Sequence, residues 1–161
     1  MTIKVGDTIP EATLKCVGAE GIVNIEVSKH FSDKKIVLFS VPGAFTPTCS
    51  AKHLPGFVEY SSDILGKGID EIICVSVNDP FVMNAWEKDQ NSKGKVTLLA
   101  DGNGDFTEAL GLSFDGSGFG LGKRGQRFVM IIDNGTVSHL AIEEAGSFEV
   151  SSAESVLKAL N

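Results

Sequence analysis

The chain has 161 residues, which is long enough for one domain with its own core and too short for two comfortable ones. Hydrophobic residues make up 42% and charged residues 22%, a composition that indicates a folded globular protein and excludes disorder. The formal net charge of -7 repels nucleic acid and anionic lipid, and the densest basic cluster, "GKRGQR", holds only three positive charges. We therefore expect a single domain over residues 1–161 that binds neither nucleic acid nor a membrane.

Five apolar segments are predicted to be β-strands. "IVLF" and "IICVSV" are apolar at successive positions, which is typical of central strands that helices cover on both faces. The sequence "DNG" between the last two segments predicts a tight hairpin turn. The predicted strands are Ile36–Ser40, Ile69–Val77, Val96–Leu99, Arg127–Ile132 and Thr136–Ile142.

Helical spacing of apolar residues predicts four helices among these strands. The first covers Phe57–Leu65, the second begins near Asp79, whose side chain is suited to cap it, and the third covers Phe106–Leu110. The last helix begins at "SSAE", where Ser151 and Glu154 are predicted to form a capping box. Strands alternating with helices, followed by a hairpin and a closing helix, predict an α/β fold with a mixed sheet flanked by helices.

The chain has an odd number of cysteines, and the three are widely spaced at Cys16, Cys49 and Cys74. No CxxC pair and no Cys/His spacing of a zinc site is present, so a disulfide framework of a secreted protein is not expected and at least one thiol should be free. The N-terminal sequence "MTIKVGDTIPEATL" has no apolar stretch of signal-peptide length, and the apolar runs are far shorter than a membrane span. We expect a cytoplasmic protein.

Two glycine-rich segments resemble ligand-binding motifs but lack essential residues. "DGNGDF" starts like a calcium loop, yet Phe106 stands where the loop requires glycine and Leu112 where it requires glutamate. "GLGKRG" matches GxGxxG, but it precedes a strand and opens no helix, so no helix N-terminus is available for a pyrophosphate. The sequence therefore predicts no metal and no cofactor.

The segment "VPGAFTPTCS" presents a single thiol directly after a predicted central strand, where the next helix should begin. Cys49 in a first helical turn faces free backbone amides, which favour its thiolate by at most about 2 kcal/mol. Strong activation of a thiol requires nearer to about 3 kcal/mol, so a second positive group is needed. The only arginines are Arg124, in a glycine-rich loop, and Arg127, at the start of a buried strand, and we predict that Arg127 fills this role.

Thr46, three residues before Cys49, is predicted to direct its hydroxyl at the same place, where it would either donate to or accept from a bound oxygen species. A thiolate, a hydroxyl and an arginine around one cleft suit heterolysis of an O–O bond, because the arginine stabilises charge that moves onto the leaving oxygen. Other interpretations remain open, since a lone cysteine is most often a buried apolar residue. His53 is either a base or ligand, or a packing or capping residue beside Pro55, and Cys74 is expected to be structural.

The segment around Cys49 resembles the peroxiredoxins, whose active-site pattern is Pro-x-x-x-Thr-x-x-Cys, here Pro42, Thr46 and Cys49. The longer string "VPGAFTPTCSAKHLPGF" is similar to the type II, or peroxiredoxin 5, subfamily, and "IKVGDTIP", "DEIICVSVNDPFVMNAW", "LLADGNGDFTEALGL" and "RFVMIIDNGTV" resemble its other blocks. The resemblance implies a thioredoxin-like fold, reduction of hydrogen peroxide and organic hydroperoxides, and a homodimer. It implies that Cys49 becomes a sulfenic acid, Thr46 bonds the thiolate and peroxide, Pro42 shields the pocket and Arg127 is the catalytic arginine.

One departure from the family concerns recycling. Members that recycle through an internal disulfide carry a cysteine near the C-terminus, where this chain reads "FEVSSAES". Cys74 resembles the second cysteine of plant-type and bacterial members, and we expect glutaredoxin with glutathione, or thioredoxin, to reduce the sulfenic acid from outside. Two rival functions are a disulfide oxidoreductase, disfavoured because Lys52 stands where its second cysteine would be, and a peroxide sensor or holdase that does not turn over.

Overall fold

Nine strands and six helices make up the computed structural model, which describes residues 1–161. The strands are β1 (Thr13–Gly18), β2 (Gly21–Glu26), β3 (Lys35–Ser40), β4 (Glu71–Ser76), β5 (Thr97–Ala100), β6 (Ser113–Asp115), β7 (Lys123–Gly125), β8 (Phe128–Asp133) and β9 (Thr136–Ile142). The helices are α1 (Val27–His30), α2 (Leu54–Glu59), α3 (Ser61–Leu65), α4 (Pro80–Gln90), α5 (Asp105–Ala109) and α6 (Ala153–Leu160). A π-helical turn covers Cys49–His53 and a 3₁₀ turn covers Ser117–Phe119. No helix has the length and apolar character that a membrane crossing requires.

Seven of the strands form one mixed sheet in the order β2-β1-β5-β4-β3-β8-β9, and β6 pairs with β7 in a separate small sheet. Strands β3, β4 and β5 are parallel to one another, whereas β8 and β1 join them in antiparallel orientation. Apolar side chains pack on both faces of the sheet. One cluster includes residues of α2, α3, α4 and α6, and the other includes residues of α1 and α5. The α/β fold with helices on both faces of a mixed sheet, predicted from the sequence, is confirmed.

The pairing of β3 with β8 positions the two segments that matter most for the site. The strands are antiparallel, and Ser40 at the end of β3 pairs with Phe128 at the start of β8. The loop that leaves β3 toward Cys49 therefore begins beside the residue that precedes β8, which is Arg127. Strand pairing thus brings together two residues that are 78 positions apart in the chain.

The predicted elements are present, with several differences in detail. The hairpin between β8 and β9 turns at Asn134 and Gly135, whose positive φ angles of 48° and 82° are those of the tight turn that "DNG" predicts. Asp79 caps α4 as expected, since its carboxylate accepts a hydrogen bond of 2.8 Å from the amide of Val82. The helix predicted over Phe57–Leu65 is divided into α2 and α3 at Tyr60, whose ψ of 12° interrupts the helical backbone.

The predicted capping box of the last helix is wrong by one residue. Ser152 caps α6, and its hydroxyl oxygen accepts from the amide of Ser155, while the Ser151 hydroxyl donates to Glu143. The hairpin of β1 and β2 was not predicted, because β2 lies at the edge of the sheet and is almost wholly exposed, so it lacks the apolar alternation of a half-buried strand. The β6–β7 pair was missed because each strand has only three residues.

Candidate active site

Cys49 is the first residue of the π-helical turn that follows β3 and its loop, close to its predicted place at a helix start. The turn ends where the amide of Leu54 donates to the carbonyl of Cys49, a bond that spans five residues. Pro55, at the start of α2, has no amide hydrogen to continue an α-helical ladder through this turn. A wide turn of this kind often occurs at functional sites.

The Cys49 side chain is buried, with an exposed fraction of 0%, and belongs to the apolar cluster on one face of the sheet. The sequence predicts a thiolate, a hydroxyl and an arginine around one cleft, whereas the Cys49 sulfur has no exposed surface. The first turn directs the side chain toward the sheet, so that the sulfur is covered by neighbouring residues. Its polar contact is with Arg127, whose Nη2 donates to Cys49 Sγ at 3.1 Å.

Arg127 is held from three sides. Besides the sulfur, its Nη1 donates to Nδ1 of His53 at 2.8 Å, and its guanidinium lies 5.8 Å from the ring centre of Phe148. None of the salt bridges of the protein involves Arg127, so no carboxylate neutralises the charge that faces the sulfur. The arrangement therefore directs the positive charge of a half-buried guanidinium at the Cys49 sulfur.

His53 connects Arg127 to the segment that follows β9. Because its Nδ1 accepts from Arg127, its proton lies on Nε2, which donates to the carbonyl of Ser151 at 2.9 Å. Burial and the nearby charge of Arg127 lower the pKa of His53 to about 3, so the ring is neutral at physiological pH. From the sequence, His53 is either a base or ligand, or a packing or capping residue. In the structure, its ring forms a hydrogen-bonded link between Arg127 and the carbonyl of Ser151.

The buried neutral His53 makes the folded state sensitive to acid. The pKa of His53 is about 3 in the folded protein, compared with 6.5 for an unperturbed histidine such as that of the unfolded chain. Below pH 6.5 the unfolded chain therefore binds a proton at His53 that the folded protein does not bind. Stability should therefore fall as the pH drops, by about 2 kcal/mol between pH 7 and pH 5 from this residue alone. Urea unfolding at both pH values measures this loss.

The matched variants for this prediction are His53→Gln and His139→Gln. The first removes the buried ring and should flatten the change in stability between pH 7 and pH 5, although it lowers stability at neutral pH. The second removes a half-buried histidine of β9 that makes no contact with the site. An unchanged slope in His53→Gln would contradict the assignment.

Thr46 and Pro42 lie in the loop before Cys49. The Thr46 hydroxyl donates its proton to the carbonyl of Gly43 at 2.6 Å, and its oxygen is left to accept from another donor. Pro42 is half-buried, and its carbonyl accepts from Arg124 Nη1 at 3.2 Å. Arg124 lies close to Gly43, where a Cβ would meet Nη1 at 2.7 Å and would require the arginine side chain to shift.

A cleft of about 560 Å³ opens beside this group of residues. Arg127, Pro42 and Thr48 contribute to its lining, whereas Cys49 does not, consistent with the buried position of the sulfur. Apolar side chains of the segment after α5 form another part of the wall, namely Phe114, Phe119 and Leu121. The cleft therefore offers an apolar approach to the guanidinium that covers the thiol.

The other two cysteines take no part in the hydrogen bonds of the site, although Cys74 lies close enough to Cys49 and Arg127 for their charges to affect its pKa. Cys74 lies in β4 and is fully buried, and burial raises its pKa well above its usual value, which keeps it as a neutral thiol. Cys16 in β1 is half-buried, and burial together with the charge of Glu87 raises its pKa also. All three cysteines are free, and no group of three or more His, Cys, Asp or Glu side chains is arranged to hold a metal ion.

Three residues of the site were not anticipated from the sequence. Phe148 packs against both His53 and Arg127, Ser151 supplies the carbonyl that fixes His53, and Glu143 binds the segment that carries them. No sequence signal points to Phe148 or Ser151. Glu143 directly follows the last strand, where an acidic residue is ordinarily taken for a solvated loop residue.

The chain is similar to known proteins over nearly its whole length. The profile of the Redoxin family matches residues 4–157. Peroxiredoxin-2D of Arabidopsis thaliana is 47% identical over 98% of both chains, and the chloroplastic Peroxiredoxin-2E of the same plant is 48% identical over 99% of this chain and 70% of its own length. A crystal structure of reduced Prx3 from Vibrio vulnificus in complex with H2O2 superposes with a TM-score of 0.96 at 52% identity, covering 99% of this chain and 100% of that one.

These likenesses extend over nearly the whole chain, and they establish the thioredoxin-like class of the fold as well as the chemistry of the family. The chain therefore belongs to the Redoxin family as a type II peroxiredoxin, a thiol peroxidase.

Proposed function

We propose that Cys49 reduces hydrogen peroxide and organic hydroperoxides and becomes a sulfenic acid in the process. The observation that carries this proposal is the 3.1 Å contact between Arg127 Nη2 and Cys49 Sγ in a site without a competing carboxylate. The thiolate attacks one peroxide oxygen, the S–O bond forms as the O–O bond breaks, and the second oxygen leaves as hydroxide or alkoxide that takes up a proton. Sulfur is oxidised by two electrons and the peroxide is reduced by two.

Each neighbouring group has a role in this step. Arg127 stabilises the thiolate before attack and the negative charge on the leaving oxygen during it. The Thr46 oxygen accepts a hydrogen bond from the O–H of the peroxide, because its own proton is already given to Gly43. Pro42 lines the cleft and helps to exclude water from the sulfur.

Access to the sulfur requires a small opening of the loop or of the side chains around Arg127, since Cys49 has no exposed surface. The apolar wall of Phe114, Phe119 and Leu121 suits the organic part of an alkyl hydroperoxide, and hydrogen peroxide needs no such wall. The similar Prx3 of Vibrio vulnificus was crystallised with H2O2, which supports the same substrate for this chain.

We infer that the sulfenic acid is reduced by an external thiol. Cys74 is a fully buried thiol of β4 whose raised pKa keeps it neutral and a poor nucleophile, and no cysteine follows it in the chain. An incoming thiol forms a mixed disulfide with Cys49 and releases water, and a second thiol then releases Cys49 in its reduced form. Glutaredoxin with glutathione, or thioredoxin, would supply these thiols.

A coupled assay tests this proposal and selects the donor. Purified protein is given hydrogen peroxide or cumene hydroperoxide with either the glutathione–glutaredoxin system or the thioredoxin system, and NADPH consumption is followed. Continuous turnover with at least one donor is expected, whereas a sensor or holdase would consume one peroxide per thiol and stop. Mass spectrometry of protein treated with one equivalent of peroxide should show oxygen added at Cys49, and a dominant Cys49–Cys74 disulfide would contradict external recycling.

A homodimer is proposed from exposed aromatic residues near the site. Phe45, Phe81 and Phe119 are 52%, 62% and 85% exposed, which is unusual for side chains of this size. A hydrogen bond from the amide of Ala44 to Asn78 ties the loop of Phe45 to the segment that leads to Phe81. A monomer in sedimentation equilibrium at micromolar concentration would contradict the dimer.

A cytoplasmic location is also proposed, because three free thiols are most readily maintained in a reducing compartment. Cell fractionation followed by immunodetection tests it, and recovery of the protein mainly from an oxidising compartment would count against it.

A further inference from the structure

Glu143 is a buried carboxylate that the reaction described above does not use. It follows β9 directly, is only 7% exposed, and accepts hydrogen bonds from four donors in the same segment. These donors are the amides of Glu149, Val150 and Ser151, each at 2.8 Å from Oε2, and the hydroxyl of Ser151 at 2.7 Å. Burial raises the pKa of this carboxyl, but the hydrogen bonds outweigh it and leave the pKa below its usual value.

The segment that Glu143 binds leads directly to the thiol. The Ser151 carbonyl accepts from His53, the other nitrogen of His53 accepts from Arg127, and Arg127 donates to Cys49. The amide of Glu143 in turn donates to the carbonyl of Arg127 at 2.9 Å. The bonds therefore close into a ring, and each member is fixed from two directions.

The ring also holds Phe148 in place. This side chain lies between Glu143 and Ser151 in the sequence, and its ring centre is 4.9 Å from that of His53 and 5.8 Å from the Arg127 guanidinium. The same Glu143 bonds that shape the segment thus place an aromatic face against the arginine.

If this ring of hydrogen bonds were broken, two carboxylates of the cleft would be available to pair with Arg127. Asp115 and Glu144 line the same cleft as Arg127 and are exposed, yet neither forms a salt bridge with it. His53 binds Nη1 while Nη2 donates to the sulfur, so the contact with His53 helps to keep the guanidinium directed at Cys49. Loss of the His53 contact would free one edge of the guanidinium for Asp115 or Glu144.

We propose that Glu143 is a positioning residue of the peroxidase reaction, which orients Arg127 toward Cys49 through the Ser151 backbone and His53. The proposal rests on the function proposed above for Cys49. Its claim about the orientation of Arg127 toward the Cys49 thiol can be tested without peroxide. A single carboxylate that accepts from three consecutive amides holds the 143–151 segment in one conformation. When this acceptor is removed, the Ser151 carbonyl shifts and the chain of hydrogen bonds to the sulfur loosens.

The test compares Glu143→Gln and Glu143→Ala with Glu149→Gln. The control removes the same charge from the same segment, but the Glu149 side chain is exposed and takes part in no hydrogen bond of the ring. Two quantities are measured for each variant. One is the ionisation of Cys49, which is followed by the absorbance of the thiolate near 240 nm as the pH is varied. The absorbance of the same protein with Cys49→Ser is subtracted at each pH. The other is the rate of a single reaction with hydrogen peroxide, followed by the fluorescence of Trp86, the only tryptophan, whose Nε1 donates to Ser50.

Both Glu143 variants are expected to shift Cys49 ionisation to higher pH and to lower the peroxide rate by about tenfold or more, as misplacement of a catalytic group does. Glu149→Gln should match the wild type in both measurements. A purely structural role would lower the melting temperature and leave both readouts of the folded protein unchanged, which would overturn the proposal. If Glu143→Ala does not fold, the isosteric Glu143→Gln decides the matter. If the wild type does not react with peroxide, the proposed function fails, while the ionisation curves still test Glu143.

Discussion

Replacement of Cys49 by serine is expected to abolish peroxide turnover, to below one thousandth of the wild-type rate. A serine hydroxyl is not ionised at neutral pH and does not form the S–O bond on which the reaction depends. The side chains are similar in size, so the folded state should be kept although the site is buried. The measurement is NADPH consumption in the coupled assay with the donor that supports the wild type.

The controls for Cys49→Ser are Cys74→Ala and Cys16→Ser. Cys74 is fully buried in β4, and alanine removes its sulfur without placing a hydroxyl in the core. Some stability is lost because a small cavity is left, but turnover of the folded protein should be largely retained. Cys16→Ser changes a half-buried residue of β1. Loss of turnover in Cys74→Ala, with the fold intact by circular dichroism, would show that recycling passes through Cys74.

Arg127→Ala is expected to lower the second-order rate with peroxide by about 10² to 10³, the typical cost of removing one donor that stabilises transition-state charge. The loss has two sources. The guanidinium no longer donates a hydrogen bond of 3.1 Å to the Cys49 sulfur, and it no longer stabilises the negative charge on the leaving oxygen. His53 also loses the donor to its Nδ1, which adds a buried acceptor without a partner. Stopped-flow fluorescence of Trp86 measures the rate directly.

Two further substitutions separate charge from geometry at this position. Arg127→Lys keeps the positive charge but lacks the planar fork that reaches both Cys49 and His53, so an intermediate rate is expected. Lys52→Ala removes an exposed positive charge three residues after Cys49 and should leave the rate unchanged, because solvent screens such a charge. If Arg127→Ala reacts as fast as Lys52→Ala, the electrostatic explanation is wrong, although the family assignment stands.

Strand positions were largely predictable because their signal is local. Central strands such as β3 and β4 are covered on both faces, and their uninterrupted apolar sequences are recognisable without knowledge of the partners. The edge strand β2 carries no such pattern, because most of its residues face solvent. The error at the last helix has a similar origin. Ser151 and Ser152 are equivalent as local caps, and only the distant Glu143 determines that Ser151 is engaged elsewhere.

The sequence by itself determined the class of the fold, the position of Cys49 at the start of a helical turn and the preference for Arg127 over Arg124. Each of these follows from residue types and spacings within a few positions of one another. Only the tertiary structure decided that the sulfur is buried, that the Thr46 proton is directed to Gly43, and that a ring of hydrogen bonds through His53 and Glu143 holds the arginine. The reason is that the decisive contacts join residues as far as 74 and 98 positions apart, which meet only when β3 pairs with β8 and the segment after β9 folds over them.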